Sequence, residues 1–267
     1  MFSIIIGFLC FYFAAVLTMY VGQRNMMYYP NPNPQNKAQF KAEDMSELQI
    51  QTEDGILLSA WYKEPEQNKP IIVVFHGNAS HMGMSAWKVR EYMDLGYGAL
   101  LPAYRGYAGN KGKPSEQGFY KDAKAVISWL LNKERYTHKD IILLGESLGS
   151  GIAIEMASNA YPDIKAVILE SPYTSFPDLA KKHYPFIPFA GMLVKDKYNS
   201  IAKIDKVSAP VLIIHGQKDL IVPYEFGERL YEAASEPKEM ITMPLAGHND
   251  LYLHGASDQV VAFLSQL

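Results

Sequence analysis

The sequence predicts an α/β protein: a mainly parallel, eight-stranded sheet with helices on both faces, preceded by one transmembrane helix. Three observations predict it. Short β-branched runs of the kind buried on both faces recur along the chain, with helical stretches between them. Chemistry-bearing residues fall just past several of those runs. Residues 2–22 carry no charge at all. Composition bounds the rest. The chain has 267 residues, 48% hydrophobic and 20% charged, which excludes a disordered chain. Lys plus Arg number 25 and Asp plus Glu 28, a net charge of −3, so no nucleic-acid partner is expected. The single cysteine, Cys10, rules out an intramolecular disulfide.

Residues 1–22 read as the transmembrane anchor. The apolar run is about the ~20 residues that cross a bilayer, and it lacks the polar face of a soluble core helix. A cleavable secretory signal would want a basic start and a small-x-small cleavage site. Met1-Phe2-Ser3 has no basic side chain and no Ala-x-Ala follows, so the anchor is read as uncleaved. Gly7-Phe8-Leu9 before Cys10 is a poor lipobox, which leaves Cys10 a buried thiol in a membrane helix. Residues 23–45 read as a linker, with Tyr28-Tyr29 an interfacial aromatic pair and Asn31-Pro32-Asn33-Pro34 a stiff spacer. Arg24, Lys37 and Lys41 follow the helix, and the positive-inside bias places the main domain on the cytoplasmic side. Three charges decide little, so the sequence leaves the side open.

Residues 46–267 form the expected catalytic domain. Runs 47–52 and 56–62 flank Glu53-Asp54-Gly55 and read as an antiparallel hairpin. Ile71–Phe75 is continuous and apolar, a strand buried on both faces. A helix over 83–95, a strand at 97–101 and a helix over 116–132 follow, the last capped by Ser115. Next come a strand at 141–144, a helix from Leu148, and strands at 166–169 and 211–214. A helix over 224–234, a strand at 240–243 and a helix over 259–264 complete the alternation. Residues 171–206, with Tyr184-Pro185-Phe186-Ile187-Pro188-Phe189, are too long for an ordinary connection.

The chemistry sits at the strand ends. Gly145-Glu146-Ser147-Leu148-Gly149 lies on a strand–turn–helix junction, where a strained turn lifts a serine above the sheet edge. Side chains at 145 and 149 would collide with the crossing strand and helix, hence the glycines. A plain Gly-rich helix start is the competing reading. A serine hydroxyl is a weak nucleophile and needs a base oriented by an acid. His248, just past 240–243, is the candidate base, and Asp219, just past 211–214, the candidate acid, with Asp250 and Asp205 as rivals. Asp250 sits at a helix start, where capping would account for it. The negative oxygen of a tetrahedral intermediate needs two aimed N–H donors. Leu148 N–H is one by geometry, and Asn78 N–H, in His76-Gly77-Asn78-Ala79 after the 71–75 strand, is the other, with Ala79 its neighbour candidate. His76 is expected to brace this loop. No His-Glu-x-x-His, Cys-x-x-Cys or Gly-x-Gly-x-x-Gly after a strand occurs, so no metal and no cofactor are expected.

These motifs, with Tyr104-Arg105-Gly106-Tyr107, Glu170-Ser171-Pro172 and Gly247-His248-Asn249-Asp250, resemble the α/β-hydrolase superfamily, and within it the membrane-anchored abhydrolase-domain serine hydrolases. The chain order Ser, Asp, His is the one that fold requires. The resemblance implies that Ser147, Asp219 and His248 are a catalytic triad and that 171–206 is a lid or cap over an acyl pocket. The expected activity is hydrolysis of an ester or thioester (carboxylesterase or thioesterase), and the aromatic, proline-rich 171–206 segment points to a small-molecule or lipid-like acyl substrate. One departure is visible: relatives often read Asp-Tyr-Arg-Gly-Tyr-Gly-x-Ser-x-Gly where this chain has Ala103, Ala108 and Asn110, a change expected in loop bracing and not in the reaction. Two other readings remain: a serine peptidase or amidase of the same fold, and a catalytically idle, membrane-tethered binding module. Oligomeric state is not coded.

Overall fold

The computed structural model describes residues 2–33, 35–133 and 135–267. A 26-residue helix, α1 (Phe2–Met27), leads into the domain. Its residues 2–22 carry no charge and none of its residues is buried, so by length and composition it is a candidate membrane span. At ~1.5 Å per residue it is about 39 Å long, enough for a ~30 Å hydrocarbon layer.

Eight strands form one sheet: β1 (Ser46–Gln51), β2 (Leu57–Lys63), β3 (Ile71–Phe75), β4 (Gly98–Pro102), β5 (Ile141–Glu146), β6 (Ala166–Glu170), β7 (Val211–Gly216) and β8 (Lys238–Met243). Their spatial order is β1-β2-β4-β3-β5-β6-β7-β8. β2 is antiparallel to both β1 and β4, and the pairings from β4 through β8 are parallel. Every residue of β3, β4 and β6 is buried, so these strands read as continuous apolar runs and not as alternating ones. The helices are α2 (Met82–Asp94), α3 (Glu116–Leu131), α4 (Leu148–Glu155), α5 (Phe176–His183), α6 (Ala190–Leu193), α7 (Tyr224–Ala233) and α8 (Ala256–Leu264). Ser115 caps α3 as expected, accepting the Gly118 N–H at 3.1 Å.

Strand order reverses around β3: β4 lies on one side of it and β5, next in sequence, on the other. The loops leaving β3 and β5 therefore diverge at a switch point, where open α/β sheets leave a crevice for a ligand. Residues 171–206 hold α5, α6 and connecting turns. Side chains of this cap segment, Leu179 and Ile187 among them, line the cavity that holds Ser147.

The segment expected as a linker, 23–45, begins inside α1, which continues to Met27. Tyr28 is no exposed interfacial residue. It is 4% exposed, and its hydroxyl bonds Asp196 Oδ2 and Tyr198 Oη, each at 3.0 Å. Arg24 grips the same Asp196 with Nε and Nη2 at 2.7 and 2.8 Å. A bidentate pair on a buried carboxylate is among the stronger side-chain contacts. Sequence patterning missed this because the anchoring partners lie about 170 residues away in the cap.

Candidate active site

β5 ends in Glu146, and the chain turns sharply at Ser147 into α4. Ser147 has φ 47° and ψ −112°, a conformation non-glycine residues rarely hold and that costs about 1–3 kcal/mol. The turn can be this tight only because its flanks lack side chains. A Cβ on Gly149 would stand 1.8 Å from the Phe75 carbonyl oxygen, and one on Gly145 2.6 Å from the Gly149 oxygen. The Ser147 N–H donates to the Glu170 carbonyl at 2.9 Å, which pins the turn to β6.

Ser147 Oγ lies 3.0 Å from His248 Nε2, and His248 Nδ1 lies 2.7 Å from Asp219 Oδ2. The three side chains come from loops after β5, β7 and β8. The latter two loops are tied together by Lys218 N–H donating to the Ala246 carbonyl at 2.9 Å. Asp219 is held from behind: its Oδ1 accepts the N–H groups of Ile221 and Val222 at 2.9 and 2.8 Å. Burial alone would raise its pKa, but hydrogen bonds from His215 and His248 hold the carboxyl well below the usual range. It is ionised at neutral pH.

Neither rival acid bonds the His248 ring. Asp250 Oδ1 accepts the Gly247 N–H at 2.7 Å, so it shapes the histidine loop instead of capping a helix with its side chain. Asp205 sits in the short turn Ile204–Lys206. His215, passed over in the sequence, is fully buried with Nε2 3.3 Å from Asp219 Oδ2. Its position inside β7, four residues before Asp219, was the available signal.

Asn78 and Leu148 line the cavity with Ser147 and His248. Leu148 is the first residue of α4, so its N–H has no partner within the helix. The Asn78 side chain is tied on both its amide atoms. Its Nδ2 donates to the Met27 carbonyl at 2.6 Å and its Oδ1 accepts the Tyr29 N–H at 3.0 Å, while Tyr107 Oη donates to the Asn78 backbone carbonyl at 2.8 Å. His76 does brace this loop. Its ring centroid lies 4.2 Å from that of Tyr104, whose hydroxyl donates to the His76 carbonyl at 2.9 Å. Burial pulls the His76 ring down to about 4, so it stays neutral. Asn110, the departure noted in the sequence, supplies bracing of its own: its Oδ1 accepts the Ser59 N–H and its Nδ2 donates to the Ala103 carbonyl.

Beneath the turn lies an ionic cluster the sequence did not announce. Lys88 Nζ on α2 sits 3.0 Å from Glu146 Oε1 and 2.9 Å from Glu170 Oε2, and Tyr252 Oη donates to Glu170 Oε1 at 2.6 Å. The cavity itself has a volume of about 770 Å³. Its walls include Trp87 on α2, Leu148 on α4, Leu179 and Ile187 in the cap segment, and Met19 and Met26 on α1. Among the described residues no cluster of three or more His, Cys, Asp or Glu is placed to hold a metal.

Comparison with known proteins fits this architecture. A family model described as serine aminopeptidase, S33, matches residues 66–202. An uncharacterised protein of Mycobacterium tuberculosis is 38% identical over 237 residues, 88% of this chain and 83% of that one. The chain belongs to the α/β-hydrolase superfamily. The lysophosphatidylserine lipase ABHD12 of Danio rerio is 29% identical over 231 residues, 72% of this hydrolase and 59% of the lipase. Among solved structures, the Pyrococcus furiosus esterase Pf2001 superimposes with a TM-score of 0.72 at 21% identity, covering 90% of this chain and 98% of its own. Est1E of Butyrivibrio proteoclasticus, solved with ferulic acid, gives 0.67 at 21% identity, covering 82% and 100%. At that identity the structural likeness speaks for the fold.

Proposed function

We propose that this α/β-hydrolase is a membrane-anchored serine hydrolase that cleaves acyl esters or thioesters through an acyl-enzyme. The observation that carries the reading is the unbroken pair of hydrogen bonds from Ser147 through His248 to Asp219, 3.0 and 2.7 Å, opening into an apolar cavity. With Nδ1 protonated toward Asp219, His248 Nε2 is free to accept the Ser147 proton. Ser147 Oγ then attacks the substrate carbonyl carbon. The oxygen takes the negative charge and is held by the N–H groups of Asn78 and Leu148. On collapse of the intermediate the bond to the leaving alcohol or thiol breaks, and His248 returns the proton to it. Water attacks the acyl-enzyme in the second half, with His248 again taking the proton, and Ser147 is regenerated.

The family model's name raises an exopeptidase. Such an enzyme needs a carboxylate for the substrate's free amine. Glu146 is the one acidic side chain among the described residues lining the cavity, and Lys88 already occupies it at 3.0 Å. An acyl group suits these walls better. The lysophosphatidylserine lipase relative points the same way, to an amphiphile with one fatty chain.

Anchoring rests on α1, whose length and apolar surface match a bilayer span. Retention of the helix after synthesis is supported by Asp196. Its side chain is 4% exposed and would lose its guanidinium partner if residues through Arg24 were removed.

The test is hydrolysis of short p-nitrophenyl esters by the full chain and by Ser147→Ala. The expected result is loss of turnover with an unchanged melting temperature. Equal rates in the two proteins would end the proposal.

A further inference from the structure

The helix proposed as a tether is also a wall of the cavity. Val16, Met19, Tyr20, Gln23 and Met26 recur at three- and four-residue spacing and line it along one face of α1. The opposite wall is the cap, through Leu179, Ile187 and Leu193 among others. Both ends of this groove are tied. Near Ser147, the Asn78 side chain joins the Met27 carbonyl and the Tyr29 N–H. Farther along, Gln23 Nε2 donates to the Leu193 carbonyl at 3.1 Å, and its Oε1 accepts the Lys195 N–H at 2.7 Å. Beyond the cavity, Tyr12 Oη donates to the Phe186 carbonyl at 3.1 Å. From Met26 to Val16 the lining face extends ten residues, about 15 Å at ~1.5 Å per residue. Phe186, Phe189 and Met192 stand exposed on the cap.

We propose that α1 measures the acyl chain: the substrate's fatty chain lies along the Val16–Met26 face, between helix and cap, with its carbonyl at Ser147. This deepens the acyl-hydrolase reading and rests on it. A groove walled by the membrane helix itself implies a substrate drawn from the bilayer, a single-chain amphiphile whose tail slides in beside α1. Gln23 is the one polar side chain of α1 other than the Tyr20 hydroxyl on this face, and cap backbone satisfies it, so the groove presents an apolar surface to the chain.

The proposal fixes a position-dependent length filter. Each methylene excluded from an apolar site weakens binding by about fourfold. In the full chain in one detergent, kcat/KM is measured on p-nitrophenyl esters from butyrate to palmitate. Val16→Trp, at the end far from Ser147, is expected to lower the palmitate-to-butyrate ratio by at least about tenfold. Met19→Ala is expected to raise it, a direction that partial unfolding does not produce. Leu17→Trp, on the exposed face outside the groove, serves as control and is expected to hold the wild-type ratio. Ratios unmoved in Val16→Trp and Met19→Ala would overturn the assignment, as would a Leu17→Trp change as large as that of Val16→Trp. Absence of any ester turnover in the unsubstituted protein would instead overturn the hydrolase reading, and this inference with it.

Discussion

Replacing Lys88 by methionine tests the ionic cluster beneath the serine turn. The substitution keeps the length and apolar character of the side-chain stem and removes one charge. Lys88 Nζ sits 3.0 Å from Glu146 and 2.9 Å from Glu170, with the three side chains 11%, 15% and 0% exposed. Burial alone would lower the Lys88 pKa, but the two carboxylates raise it, and Lys88 in turn lowers that of Glu146 against the opposing effect of burial. Removing one partner of a buried pair costs about 3–5 kcal/mol, because a charge is left without compensation. For a domain of this size each kcal/mol moves Tm by about 2–4 °C, so a loss of about 6–20 °C is expected at pH 8. The pH dependence follows from the sign of the shift. In the wild type the lowered Glu146 pKa contributes stability above the unfolded value of ~4.3, which is lost as pH falls through the folded value. In Lys88→Met the buried carboxylate is unpaired and its pKa rises, so it penalises the fold above ~4.3 and less as protonation sets in. The gap between the two proteins should therefore be widest at pH 8 and narrow as pH approaches 4.5. Thermal unfolding followed by circular dichroism measures it, and Lys88→Met/Glu146→Gln should recover part of the loss. A gap under about 2 °C, or one constant across that pH range, would refute the reasoning.

Three further outcomes are expected. Asp219→Asn removes the charge opposite His248 Nδ1 and permits the wrong tautomer, so kcat should fall ~10⁴-fold, as in the general serine-hydrolase template; a loss under tenfold in steady-state ester hydrolysis would contradict the role. Asn78→Ala keeps the backbone N–H and the Tyr107 bond to the backbone carbonyl but removes the side-chain bonds to Met27 and Tyr29 that hold the loop. Since a full oxyanion donor is worth ~2.7–4 kcal/mol, partial misplacement should lower kcat about tenfold with little change in KM, and an altered KM at constant kcat would count against it. Gly149→Ala drives a Cβ to 1.8 Å from the Phe75 oxygen, so the variant should fail to yield folded protein, which near-ultraviolet circular dichroism would reveal.

Much of the fold was legible because its signals are local. Ile71–Phe75 was read with its observed bounds, since Pro70 and Gly77 punctuate it and every residue is buried. The strand at 240–243 was read two residues short, because Lys238 and Glu239 on a half-buried edge strand lack the apolar signature. α5 escaped notice within 171–206, where an eight-residue amphipathic helix with three basic residues in its last turn looks like loop. The serine turn was legible for a steric reason, glycines at 145 and 149 being required by close approach. What the sequence concealed is long-range pairing. Arg24 with Asp196, Tyr28 with Tyr198, and Lys88 between Glu146 and Glu170 join residues far apart along the chain, and no periodicity records such contacts. The same limit hid the face that α1 turns toward the cavity, since an uncharged apolar run looks alike on every side.

The central claim is that His248 and Asp219 activate the Ser147 hydroxyl. Labelling the purified full chain with a fluorophosphonate, then locating the adduct by peptide mass spectrometry, tests it most directly. The account predicts one adduct, on Ser147, lost in Ser147→Ala and strongly slowed in His248→Ala. An adduct on another residue, or none on a folded protein, would contradict it.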